Sequence, residues 1–410
     1  MSNWPLRFLH ASDLHLEQPL HGVTEIPDSL LEKAIDAPYQ AAERLVDQAI
    51  ELGVDFLVLS GDVINTHQTG PRGVAFFRDQ LARLTERRIA VFWLPGKVDP
   101  VGNWPTAIPL PDGVQFFSGD RGEQLVYRRE DEPAARIVGL GHDAHGQVQA
   151  DMLQAAQADT FTIGVGYGQI DRTSIDKSRL GYVALGGAHE RELISSPPRA
   201  VQYAGTHQGR CPSETGAHGA TLIDVDDLGN VRTKFIATDV LRWLERTVTI
   251  EGAATRERIE NKLSEAMRHA QQNAEGRDLM IRWTVETSLE VARRLRRRHI
   301  ESDLLAWLRE GFSGLPAAWS VSVTIEAGEA IPEQWYDEET ILGDYLRLAH
   351  EVDQNPRQLL DLSEYLDGDN RDGIVAAAAK IKEPELRRRV LAEAVKLGVD
   401  LLAADSAGEE

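Results

Sequence analysis

Two apolar stretches that each run into an acidic turn constrain this chain most: FLHASDLHL over residues 8–16 and FLVLSGD over residues 56–62. Apolar runs of this length bounded by turn residues read as buried strands. In the first, Asp13 and His15 stand two apart. Alternate residues of a strand point to one side, so both side chains can serve one site. The second run ends in Gly61-Asp62. Carboxylate and imidazole delivered to the C-terminal edge of a sheet suit a metal centre in an α/β fold.

The segments between and after these strands support that class. Strand 6–11, helices over 28–35 and 38–52, strand 55–60, helix 76–87 and strand 89–94 alternate as parallel α/β architecture requires. Ala41, Leu45, Val46, Ala49 and Leu52 make one helical stripe, closed by Gly53. Short strands at 114–117, 124–127 and 135–139 are expected to fit a second sheet packed on the first, and strands at 161–165, 182–185, 202–204, 219–225 and 231–236 to continue a β-rich portion. A first domain is therefore expected over 1–240. Strands at 243–250, 278–285 and 320–325 with helices at 256–273 and 289–299 make a small α/β domain over 241–330. Residues 331–410 read as helical, without strands: helices over 339–350 and 384–403, with shorter candidates at 358–366 and 374–382.

Composition narrows the partners. The formal net charge is -21, so attraction to a phosphate backbone needs a local basic patch or a basic partner. The single cysteine, Cys211, excludes an intrachain disulfide framework and argues against a thiolate cluster. No run of 18 apolar residues suggests a membrane span, and MSNWPLRFLHASD lacks the layout of a secretion signal, so a cytoplasmic protein is expected.

The motifs ASDLHLEQPLHG, LVLSGDVIN, LPG at 94–96, GYVALGGAH and YAGTHQGRCPSETGAHGATLIDVD resemble the calcineurin-like metallophosphoesterases. Within them the chain is similar to the bacterial DNA repair exonucleases of the SbcD and YhaO type, related to the Mre-type nucleases. FIATDVLRWLERTVTIEG resembles the entry to the YhaO-type capping domain. The resemblance implies a four-layer αββα sandwich, a small α/β capping domain and C-terminal helices. It also implies a two-metal site for phosphodiester hydrolysis, an SMC-type coiled-coil ATPase as partner, and a possible homodimer.

The family's ligand motifs are met unevenly. Asp-x-His is Asp13 and His15, and Gly-Asp-x-x-Asp/Asn is Gly61, Asp62 and Asn65. Where the family carries Gly-Asn-His-Asp, this chain has Gly96, Lys97, Val98 and Asp99. Lysine offers no lone pair while protonated, and valine has no proton to transfer. Tyr167 and Gly187 stand where two further histidines are expected, while His189 keeps the second His of Gly-His-x-His. One site, Asp13, His15, Asp62 and His189, is therefore complete and can hold one Mn, Fe or Zn ion. The other keeps Asp62 alone among Lys97, Tyr167 and Gly187. Two-metal hydrolysis needs the second ion, so weak or absent phosphodiesterase activity is expected. Lys97 is a candidate electrostatic stand-in beside Asp62 or a candidate phosphate contact, and Asp99 a candidate orienting group.

Other readings stay open at this level. The four residues can form a hydrogen-bonded cluster without metal. His142, Asp143 and His145 can rebuild an active centre. The chain can also be an interaction scaffold that binds neither metal nor DNA. Arg210, in THQGR, can contact a phosphate or belong to a glycine-flanked turn, and His218 is expected in a turn or at the surface. The run RRLRRRH at 293–299 can bind nucleic acid or form a solvated helix face. Leu342, Leu346 and Ala349 form an apolar helical stripe that can close the core or dock a partner.

Overall fold

Five of the six residues of the first strand, β1 (Leu6–Ala11), are buried, as expected for a strand inside a sheet rather than at its edge. The computed structural model of the chain describes residues 5–23, 25–118, 122–141, 146–153, 160–175, 180–197, 200–311, 314, 316–355, 359–367 and 373–403. After β1 come α1 (Asp28–Glu51), β2 (Phe56–Ser60), α2 (Thr66–Glu86), β3 (Ala90–Leu94) and β4 (Val114–Phe116). They are followed by β5 (Glu123–Arg129), β6 (Glu132–Leu140), β7 (Gln147–Val148), β8 (Phe161–Tyr167), β9 (Gln169–Ile170), α3 (Arg172–Ile175) and β10 (Tyr182–Gly186). Then come β11 (Glu192–Ser195), β12 (Ala200–Tyr203), β13 (Gly219–Val225) and β14 (Val231–Ala237).

These strands make two six-stranded sheets, ordered β14-β13-β1-β2-β3-β4 and β11-β12-β10-β8-β6-β5. The centre of each is parallel: β1, β2, β3 and β4 in one, β6, β8, β10 and β12 in the other. Side chains alternate between two cores. Phe8, Phe56 and Phe92 face Ile163, Val165 and Tyr182 of the second sheet. Leu9, Leu57 and Val91 pack with Leu45 and Phe77 of the helices. Burying each such side chain contributes about 1.5–3 kcal/mol. On the far face of the second sheet, Val183 and Leu185 pack with Leu153 and Ile175. The result is an α/β sandwich of two sheets between helical layers, the architecture implied by the motifs.

Two helices depart from expectation. Residues 28–51 form one helix with Pro38 inside it, not two. Proline lacks the N–H that would bond Ala34 O, and an interior proline costs about 3 kcal/mol. Here Ala34 O accepts the Leu20 N–H at 3.2 Å, so the freed carbonyl is satisfied from outside the helix. The second helix starts at Thr66, ten residues early, and kinks at Gly70, whose φ is 70°. Pro71 follows that kink, which hides the first turn from a periodicity search.

The chain divides into two compact units: Met1–Glu245 with Met267–Arg282 and Phe312–Val321, and Arg246–Ala266 with Trp283–Gly311 and Ser322–Glu410. The remaining elements are β15 (Leu241–Thr249), α4 (Arg256–Gln272), β16 (Asp278–Thr287), α5 (Leu289–Arg297), α6 (Ile300–Gly311) and β17 (Ala318–Ala327). They continue with α7 (Gln334–Asp337), α8 (Ile341–Gln354), β18 (Leu360–Asp361), α9 (Ile374–Ala378), β19 (Lys380–Ile381) and α10 (Pro384–Leu402). Strands β15, β16 and β17 form a three-stranded sheet with β16 in the middle. Helix α6 was not expected; His299, with φ 53°, breaks the helical pattern just before it.

The last segment also corrects the all-helical expectation, because β18 and β19 pair antiparallel. Asp361 Oδ1 accepts the backbone N–H of Ser363 at 2.9 Å, a local turn that competes with helix after β18. Three of the five arginines in the basic run are engaged within the fold, while Arg294 and Arg298 are exposed. Arg296 forms a two-pronged pair with Asp400 at 2.6 Å, and Arg293 and Arg297 donate to the carbonyl of Ala403 at 2.5 and 3.2 Å. Cations at the C-terminal end of a helix are favoured by its dipole. On α8, Leu342 and Leu346 are buried against Val399 of α10. Among the described residues, no helix is long and apolar enough to cross a membrane.

Candidate metal centre

The centre forms where the tails of β1 and β2 run side by side. Asp13 N–H donates to Gly61 O at 3.0 Å, His15 N–H to Asp62 O at 3.0 Å, and Leu16 N–H to Val63 O at 3.2 Å. Strand alternation does not deliver Asp13 and His15, because β1 ends at Ala11. Asp13, His15 and Asp62 instead have φ values of 52°, 42° and 51°. Left-handed backbone at three non-glycine residues costs on the order of 1–3 kcal/mol each, a strain that gathers at functional sites. The second sheet reaches the same place through the turn after β10. Gly187 N–H donates to both oxygens of Asp13, at 3.1 and 3.0 Å, and His189 follows two residues later.

Asp13, His15 and His189 each bring one donor atom into a group in which all three lie within 4.8 Å of one another. Asp13 and His15 are buried, while His189 is exposed. The donor set fits one divalent ion, and one atom makes the fit specific: His15 Nε2 is buried and has no hydrogen-bond partner among the described residues. Its other nitrogen, Nδ1, donates to Glu17 Oε1 at 3.0 Å, with the tautomer inferred from that bond. Glu17 Oε2 accepts the Asn65 N–H at 2.9 Å, so the carboxylate is itself anchored. A carboxylate behind a histidine, leaving the opposite nitrogen free, is the usual support of a metal-bound imidazole. Burial pushes Asp13 up to about 6, Ser12 and Gly187 pull it down, and the charge of Asp62 adds to the rise. A cation would offset that cost.

Asp62 sits beside this group but is already occupied. Its Oδ2 lies 3.6 Å from His15 Nε2 and accepts the Tyr167 hydroxyl at 2.7 Å, while Oδ1 accepts the Val98 N–H at 2.9 Å. The positions expected to bind a second ion do not fit one. Lys97 is exposed and forms no ion pair among the described residues, so it is not the stand-in beside Asp62. Gly187 has no side chain, and Tyr167 points its hydroxyl at the carboxylate. Asn65 caps α2, accepting from the N–H groups of His67 and Gln68 at 3.2 and 3.3 Å.

The expectations for Asp99 and His218 are corrected, and the alternatives for Arg210 are narrowed. Asp99 is not placed to orient substrate. Its oxygens accept from Asp62 N, Gly96 N, Val63 N and Trp93 Nε1 at 3.1, 2.7, 3.2 and 2.7 Å, which ties the turn after β3 to the turn after β2. Burial pushes its carboxyl up to about 6 against the pull of those donors. Arg210 is 2% exposed and bonded to Glu214 Oε1 at 3.0 Å, Gln18 Oε1 at 2.8 Å and His189 Nδ1 at 2.8 Å, so it does not reach for a phosphate. Glu214 Oε1 lies 2.9 Å from the same nitrogen, which accepts from Arg210 in one tautomer or donates to Glu214 in the other, not both at once. Burial pushes Glu214 up, but its bonds from His189 and Arg210 outweigh this and hold it below the usual carboxylate range. His218 is buried, not superficial, and meets Thr206 Oγ1 at 2.7 Å. His142, Asp143 and His145 lie outside the described residues. Glu17 and Glu214 were missed from the sequence; the only signal was an acid two residues after His15 and another four after Arg210.

Residues 6–158 match the calcineurin-like phosphoesterase family, and residues 243–328 match the middle domain of metallophosphoesterase YhaO. The chain is 28% identical over 262 residues to the uncharacterized metallophosphoesterase YhaO of Bacillus subtilis (strain 168), covering 60% of this chain and 64% of that one. It is 23% identical over 232 residues to the DNA double-strand break repair protein Mre11 of Thermoplasma acidophilum, covering 49% of this chain and 61% of the relative. The chain thus spans less than two thirds of the length of either curated relative. The two family matches and the likeness to YhaO agree: residues 6–158 are matched as a calcineurin-like phosphoesterase domain and residues 243–328 as a YhaO-type middle domain.

Proposed function

We propose that this chain is a one-cation member of its family that recognises phosphoester groups, DNA among them, and hydrolyses them slowly or not at all. The observation that carries the reading is the unpartnered His15 Nε2, buried beside Asp13 and His189 with its opposite nitrogen held by Glu17. When bound, a divalent ion supplies positive charge for a phosphate oxygen and acidifies a water. Asp13 and His15 hold the buried side of that site, and half-exposed His189 closes its outer side. Slow chemistry follows from two deficits. Each oxygen of Asp62 already accepts a hydrogen bond that competes with a bridging role, and Val98 stands where the family's proton-donating histidine is expected.

The relative named for DNA double-strand break repair supports nucleic acid as the phosphoester. With a net charge of -21, such a protein depends on a partner for most of its attraction to a polyanion. An SMC-type ATPase fits that need, and Leu348, Leu397 and Leu401 are exposed apolar residues on α8 and α10 that such a partner can cover.

The test is metal uptake paired with turnover. Protein stripped with chelator is expected to take up one manganese per chain, with uptake lost in Asp13→Asn, and to cleave bis(p-nitrophenyl) phosphate and DNA near background. Two ions per chain, or rapid DNA degradation abolished by Asp13→Asn, would overturn the reading. A metal-free scaffold is the second reading, favoured by the pairing of His189 with Glu214 and Arg210; it predicts no uptake at all.

A further inference from the structure

Beside Asp62, one of the chain's own side chains fills the space that a second ion would need. Tyr167, the last residue of β8, lays its ring against three glycines. A Cβ added at Gly61 would stand 2.3 Å from its Cδ2, one at Gly96 2.9 Å from its Cε2, and one at Gly187 3.3 Å from the same atom. The first two distances are below any real contact, so side chains at 61 and 96 are incompatible with this ring. Gly187 also has φ 93°, a conformation that favours glycine. A side chain at 187 would therefore press on the Tyr167 ring and on Gly168 N, at 3.3 and 3.2 Å, more tightly than an ordinary contact.

The hydroxyl completes the exchange. Tyr167 donates to Asp62 Oδ2 at 2.7 Å, and Val98 N–H covers Oδ1 at 2.9 Å. A hydrogen bond to an ionised, buried carboxylate is about twice as strong as a neutral one. Without it, Asp62 would be a buried charge facing Asp13 with one oxygen unpaired.

We propose that Tyr167 is the resident occupant of the second cation pocket, its ring excluding the ion and its hydroxyl proton partnering Asp62 in the ion's place. This deepens the one-cation reading and rests on it only for the number of ions in the unaltered chain.

Manganese uptake is compared for the unaltered protein, Lys97→Asn, and the double variant Lys97→Asn/Tyr167→His, by dialysis with elemental analysis and by electron paramagnetic resonance. Lys97→Asn adds a side chain with a lone pair but leaves the ring, so its ion count is expected to match the unaltered protein. The double variant is expected to bind one ion more, and two adjacent manganese ions replace the six-line spectrum with a broadened, exchange-coupled one. An unchanged count in a folded double variant overturns the proposal. The hydrogen bond is read without metal. In EDTA, Tyr167→Phe is expected to lower the melting temperature by about 2–4 °C, and by less than half as much in an Asp62→Asn background. Equal losses in both backgrounds overturn the proposal, and this cycle decides if the double variant does not fold. An unaltered chain that binds no ion ends the one-cation reading alone, because the gain on substitution and the EDTA cycle still judge Tyr167.

Discussion

Glu17 joins His15 Nδ1 to the Asn65 backbone at 3.0 and 2.9 Å, and its side chain is fully buried. It decides which nitrogen of His15 faces Asp13. Glu17→Ala is expected to weaken manganese binding about 10–100-fold, read by isothermal titration, with the far-UV spectrum unchanged. An unchanged affinity would mean that packing alone aims the ring. Asp13, His15, Asp62 and His189 were legible because the resemblance rests on their spacing. Glu17 was not, because an acid near a histidine carries no spacing of its own. Arg210 was left open for a related reason: a guanidinium in a glycine-rich loop is ambiguous until Glu214 is seen to fold back onto it at 3.0 Å.

At the level of elements, the meeting of two strand ends sets the geometry. A Cβ at Gly186, the end of β10, would fall 1.6 Å from the Ser60 carbonyl oxygen at the end of β2. Gly186 therefore sets how closely the two sheets approach under Asp13 and Asp62. Gly186→Ala is expected to cost about 1–3 kcal/mol or more through overpacking and to weaken metal uptake at least tenfold. Denaturant titration and manganese binding check the two effects separately, and stability loss with intact binding would place the site outside the influence of this contact. The strands themselves were readable because uniformly apolar runs between turns have few other solutions. Helix ends were less so. Pro38 sits inside α1 because Leu20 bonds the carbonyl it frees, and Gly70-Pro71 masks the start of α2.

For the whole molecule, two buried histidines tie stability to pH. His10 lies between Tyr182 Oη and Ser60 Oγ, each at 2.8 Å, and His207 Nε2 meets Pro38 O at 2.7 Å. Burial lowers each ring to about 3, from 6.5. Both are neutral in the fold, so between pH 6.5 and 3 the unfolded chain binds more protons. Their contribution is intact above pH 6.5 and is lost as pH falls towards 3, by up to about 1.4 kcal/mol per pH unit for each ring. Urea midpoints measured from pH 7 to 4 should fall accordingly, and His10→Gln should shallow that slope even if it lowers stability throughout. A slope identical to that of the unaltered protein would show that His10 is not held neutral.

Hydrophobic periodicity by itself determined the α/β class and most of its central strands, because these follow from local sequence, while the resemblance of the motifs implied the sandwich and the four side chains at one edge. Only the tertiary structure decided which of those groups are free. Asp62 is taken by Tyr167 from 105 residues away, His15 is aimed by Glu17, and Asp99 and Arg210 are spent on holding loops. Each outcome depends on hydrogen-bond partners that meet by packing of distant segments, and a buried polar atom's role is set by the partner it has, or lacks, within about 3 Å.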